Sequence, residues 1–131
     1  MSRTEIAGLL ERVREAKGPD SHLDQKLFAA FWGWGCPLHG AALYDFGQLG
    51  DGGQFTSSID AADALIEREL PGWSRESGRS GFGNPAWCRM WNPLRSPGQG
   101  NDIRADHDSG SEPLARIAAL LTALTGGDDG K

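Results

Sequence analysis

Cys36 and His39 stand as Cys-x-x-His in "GCPLHG", with Cys88 and His107 further along the chain. Thiolate and imidazole are the two ligand types that suit tetrahedral zinc, so Cys36, His39, Cys88 and His107 form one candidate metal set. Its weakness is spacing, because zinc sites pair ligands closely in both halves and Cys88 lies far from His107. A lone Cys on a strand is more often a small buried hydrophobe. Cys36 with His39 or His107 also has the composition of a nucleophile and base. No nucleophile elbow or protease signature accompanies it. "DIRADHDSG" gathers Asp102, Asp106, His107 and Asp108, oxygen-rich enough for a divalent cation but without EF-hand spacing or a closing Glu. It reads as a solvated loop ahead of a helix. "GRSGFG" and "GDGG" lack the Lys-Ser/Thr or dinucleotide fingerprint of a phosphate loop. No coherent catalytic set emerges, and the expectation is a non-enzyme without a cofactor.

Aromatic residues offer a different chemistry. "PAWCRMWNPLRSPG" brings Trp87, Arg89 and Trp91 together, with Trp73 and Arg75 upstream. Trp and Arg are the residues of stacking, cation-π contacts and interface anchors. Alternation along an extended 86–92 places Ala86, Cys88 and Met90 on one side and Trp87, Arg89 and Trp91 on the other. Apolar bulk on both sides predicts a central strand covered on both faces, with Arg89 reaching outward past its neighbours. That expectation moves recognition elsewhere. Trp32 and Trp34 flank the Cys-x-x-His segment, and a long irregular stretch follows through "GAALYDFGQLGDGGQ", a length that invites a functional reading. Trp32, Trp34, Tyr44, Phe46 and Arg89 are accordingly the candidate interface.

The elements that must position these residues follow from periodicity. Ser2 and Glu5 have capping-box spacing, and Ile6, Leu9, Leu10 and Val13 follow on one helical face until Gly18-Pro19. A second helix opens at Ser21 with Leu23, Leu27, Ala30, Phe31 and Trp34 as its stripe. Ser57 and Asp60 cap a third, with Ile59, Ala62, Leu65 and Ile66 inward. "PGW" ends it and starts a strand at 73–77, joined by the "GRSGFG" hairpin to 86–92. Ser111, with Pro113 in the first turn, opens a last helix whose face is Leu114, Ile117, Ala118, Leu121 and Leu124, closed by Gly126-Gly127.

"FTSSIDAADALIERELPGW" and "GSEPLARIAALLTAL", with "AWCRMW" between them, resemble the phage alpha-beta-alpha sandwich domain family over roughly residues 54 to 125. The resemblance implies a phage- or prophage-derived accessory protein working in the bacterial cytoplasm, and it carries over no catalytic residue. The "FWGWGCPLHGAALYDFGQ" segment departs from the pattern.

The bulk properties agree with a soluble protein. The 131 residues suit one domain, with 1–18 an N-terminal helix, 32–54 a long loop or insertion, 55–125 the core and 126–131 a flexible tail. A formal net charge of −5 works against nucleic-acid and anionic-membrane partners. No apolar run reaches the roughly 20 residues of a membrane span, and the start lacks a signal-peptide core, so the expected compartment is cytoplasmic, with reduced cysteines. The expected fold is α+β: a small, largely antiparallel sheet sandwiched by about four helices. The expected function is binding of a host or phage protein, inhibition of a bacterial defence included, with self-association open. The alternative is a small-ligand or metal-binding module with its pocket between the 32–53 loop and the Trp-rich strand.

Overall fold

A computed structural model describes residues 3–33, 46–79, 85–94 and 102–125. Their order is α1 (Arg3–Glu15), α2 (Ser21–Trp32), a 3-10 turn (Gly50–Gly53), α3 (Ile59–Glu69), β1 (Ser74–Arg79), β2 (Ala86–Trp91), β3 (Asp102–His107) and α4 (Glu112–Leu124). The three strands form an antiparallel sheet in the order β1-β2-β3. The α+β class, with a small antiparallel sheet and about four helices, is therefore observed.

α4 is the centre of this arrangement. Its cap is Ser111, whose Oγ accepts from the Leu114 N–H at 3.3 Å, and a proline occupies the first turn. Gly110 precedes the cap at φ +79°, a left-handed conformation that glycine adopts without strain. Leu114, Ala115, Ile117, Ala118, Ala119, Leu120 and Leu121 are all buried, so the helix is enclosed almost all round. One side packs on all three strands, and α1 and α3 pack on the others. α2 lies on α1, and the 3-10 turn lies between α2 and α3.

The α1 stripe of Ile6, Leu9, Leu10 and Val13 is buried as its spacing requires. Three local expectations are corrected. α2 is capped by Asp20, not Ser21, its side chain accepting from the Leu23 N–H at 3.1 Å, and it buries Phe28 rather than Phe31 at the core. It ends on Gly33 at φ +80°. α3 is capped by Ser58, not Ser57, which moves Ile59 to the surface and puts Ala61 inside. The span 102–107 is a strand rather than a loop: Ile103, Ala105 and His107 turn inward while Arg104 and Asp106 turn out. The Ser2 cap and the 126–131 tail lie outside the described residues.

Inward and outward residues alternate strictly along β2. Ala86, Cys88 and Met90 are buried under α4, while Trp87 and Trp91 are half-buried and Arg89 is exposed. The expectation of a strand covered on both faces is thus corrected. Helices lie on one side of the sheet, and the opposite face is open among the described residues.

A polar anchor fixes the start of α2 to the turn that leads into α3. Asp24, buried within α2, accepts from the Thr56 N–H at 2.9 Å, and Thr56 Oγ1 accepts from the Asp20 N–H at 2.8 Å. Burial pushes the Asp24 carboxyl above its ordinary value of 3.8, with the Thr56 hydrogen bonds working in the other direction. Below pH 3.8 the carboxyl is protonated in both folded and unfolded chains. Its contribution to stability is lost as pH rises through the higher folded value. Urea unfolding of the wild type and Asp24→Asn from pH 3 upward should therefore show the wild type losing stability relative to the variant above pH 3.8, with no further change once the folded carboxyl has titrated. At the centre of α4, Leu120→Ala should lower unfolding free energy by about 2–5 kcal/mol in the same measurement.

Candidate functional site

The open sheet face is a grid set by strand register. Gly78, Trp87 and Asp106 make one row, Glu76, Arg89 and Arg104 the next, and Ser74 and Trp91 the third. Trp87 lies flat over Gly78, where an added Cβ would come within 3.2 Å of the indole Cζ2. The Arg104 guanidinium sits over Trp87, 5.3 Å from the ring centroid, and Arg89 sits over Trp91 at 5.2 Å. Both distances fall within cation-π range. Arg104 Nε donates to Asp106 Oδ1 at 3.0 Å, and Arg89 approaches Glu76 at 3.8 Å. All four charged side chains are about half exposed, so these pairs stabilise the fold little and exchange readily with outside partners.

Other sequence candidates fall elsewhere. Trp73 is half-buried against the core. Arg75 points to the helix side, where its Nε donates to Asp63 at 3.0 Å and a terminal nitrogen to Glu67 at 3.0 Å. Arg116 of α4 also binds Asp63, so one carboxylate joins α3, β1 and α4. Burial works against the Arg75 charge, but hydrogen bonds to Glu67 and Asp63 and their attraction hold its pKa above the ordinary value. Trp32 stacks on Phe28 (4.9 Å between centroids) and on Phe55 (6.1 Å), with the Arg68 guanidinium 4.0 Å from its ring centroid. Phe46 meets Phe28 edge to face at 5.3 Å. Trp32 and Phe46 therefore belong to an aromatic cluster on the helical side, apart from Arg89. Trp34 and Tyr44 lie outside the described residues. The described part of the 32–53 segment packs on α2 and α3.

Of the four zinc candidates, Cys36 and His39 lie outside the described residues. Cys88 and His107 share the helix-covered face of the sheet, where His107 is paired with Ala86 and Cys88 with Ala105. His107 is buried with both ring nitrogens engaged. Nδ1 accepts from the Ser109 N–H at 3.2 Å and faces Ser109 Oγ at 2.8 Å, so Nε2 carries the hydrogen and donates to the Val13 carbonyl at 2.6 Å. The ring is a tie between α1 and the end of β3. It forms the inner wall of a cleft of about 530 Å³ whose rim includes Arg14, Lys17, Asp108 and Ser109. Among the described residues no group of three or more His, Cys, Asp or Glu converges on a metal-sized space.

Burial pushes the Cys88 thiol up to about 11, with Arg116 working in the opposite direction. The thiolate is the reactive form, so this cysteine is held inert at neutral pH.

No protein-family model matches the chain, and no curated protein and no solved structure is significantly similar to it. The site therefore rests on its own geometry. Sequence reasoning grouped Trp87, Arg89 and Trp91 but took their face for a covered one, and it missed Arg104 and Glu76. The alternation in "DIRADH" was the signal that places Arg104 beside them.

In a Cys36→Ser background, native protein at pH 8 should resist maleimide, and unfolding in urea should expose one reactive thiol, as mass spectrometry would count. Rapid labelling of the folded protein at that pH would contradict the burial of Cys88.

Proposed function

We propose that this protein is a non-catalytic binding module that recognises a partner protein through the open face of its sheet. The observation that carries the reading is the placement of Trp87 and Trp91, each with an arginine over its ring, on the side of the sheet away from α4. Large aromatic side chains and arginines concentrate at the energetic centres of protein interfaces, because they bury much area with few rotatable bonds and keep polar edges for hydrogen bonds. The fold spends none of its core on these side chains. Cys88 and Met90 from the same strand already fill the space beneath α4.

The resemblance of residues 54 to 125 to small phage proteins supports a setting in the bacterial cytoplasm and a host or phage protein as partner, a component of a bacterial defence included. No described helix is long and apolar enough to cross a membrane. The net charge of −5 works against a nucleic-acid target.

Replacing both tryptophans by threonine keeps strand propensity while removing the anchors. The double variant Trp87→Thr/Trp91→Thr should stay folded, losing about 1–2 kcal/mol from two cross-strand aromatic contacts. It should also lose the partner that wild type captures from bacterial lysate. Capture that survives both substitutions would move recognition off the sheet.

A further inference from the structure

We infer that the free edge of β3 pairs with the same edge of a second copy of this chain, joining two sheets into one antiparallel sheet. β3 has β2 on one side and, among the described residues, no strand on the other. The backbone N–H and C=O groups along such an edge are a template for another strand. Arg104 and Asp106 stand on the open face of β3, both about half exposed, and their mutual pair is weak enough to be shared. Ile103, Ala105 and His107 turn to the helix side.

Symmetry decides what this edge meets. A two-fold axis normal to the sheet runs the two edge strands antiparallel and keeps both open faces on one side. Directly opposed residues then share a face, so every register is centred on a residue that meets its own copy. Centred on Ala105, the ladder sets Arg104 against Asp106 of the second copy, and Asp106 against its Arg104. Ile103 and His107 close the ladder at either end, and Asp108 lies beyond it in the turn. Opposite charges directly across a ladder stabilise it, and like charges destabilise it. Each carboxylate keeps its own arginine and gains a second, so the charges alternate around the axis.

Charged residues on an edge strand ordinarily repel a further strand. On β3 they do so in the neighbouring registers, where Arg104 or Asp106 meets itself. On β1, the other edge, no register is complementary. Centred on Arg75 or Glu76 that strand meets its own charge, and centred on Ser77 it sets Arg75 against Arg79. Nearer either end it engages half of the strand or less. Assembly therefore stops at two copies. The pairing leaves Trp87 and Trp91 uncovered, so it stands apart from what the open face binds.

The test is sedimentation equilibrium of the full chain from micromolar to near-millimolar concentration. Wild type is compared with Arg104→Asp, Asp106→Arg and the exchanged double variant Arg104→Asp/Asp106→Arg, each checked for folding by circular dichroism. Wild type should rise with concentration toward twice the chain mass and no further. Each single variant sets like charges together in the ladder and should associate about tenfold more weakly or less. Mixed in equal amounts, the two single variants become complementary and should recover wild-type association, as should the double variant alone. Wild type that stays monomeric throughout, or association that neither single variant weakens, would overturn the pairing. So would a weakening that neither mixing nor exchange reverses, or growth beyond two copies.

Discussion

Among the described residues, the sheet, α1 and α3 are arranged around a helix that has almost no wet side. α4 meets the sheet along one flank and α1 and α3 along the others, so its alanines matter as much as its leucines. Ala115, Ala118 and Ala119 let neighbouring backbones approach, and Leu114, Ile117, Leu120 and Leu121 fill the space between. A helix so enclosed requires its end groups to be satisfied locally. Ser111 does this at the start, and Arg3 does it at the finish by donating to the Thr125 carbonyl at 2.7 Å.

The demands of α4 explain the asymmetry of the sheet. With three strands and one covering helix, a single layer of inward residues is enough to close the core: Ala86, Cys88 and Met90 on β2, and Ile103 and Ala105 on β3. Polar ties then hold the rim of that layer. Ser77 Oγ donates to Glu112 at 2.9 Å, Arg79 Nε donates to the Gly110 carbonyl at 2.9 Å, and Asp63 binds arginines from both β1 and α4. The outward layer is left out of this closure, and it is there that tryptophan and arginine accumulate. The proposed role in recognition rests on these residues, which the packing of the core does not use.

Much of the fold was legible because helix signals are local. The stripe identified α1, and stripe and cap together identified α4, nearly residue by residue, since four-residue spacing and a serine ahead of Pro113 are enough to define a helix. The one-residue errors at Ser21 and Ser57 arose where two capping residues are adjacent, Asp20 beside Ser21 and Ser58 beside Ser57, and tertiary contacts choose between them. Thr56 makes one of those choices by holding the Asp20 N–H. The third strand was missed because its three charged residues suggested solvent, although their alternation with Ile103, Ala105 and His107 was strand-like. The site was half legible for a related reason. Sequence told which side chains share a face of β2, but whether that face is covered depends on where the helices go, and strand periodicity carries no such information.

The two ties on α1 set an order of events on the ribosome. Arg3 holds the Thr125 carbonyl across 122 residues of chain, and His107 holds the Val13 carbonyl across 94. α2, which packs on α1, follows it directly, but the two ties form only when the last strand and α4 have emerged, several seconds later at ordinary translation rates of about 5–20 residues per second. During that interval Ile6, Leu9, Leu10 and Val13 have no α4 to cover them, so the nascent chain presents an apolar helix that a chaperone can hold until synthesis reaches the segment that closes it.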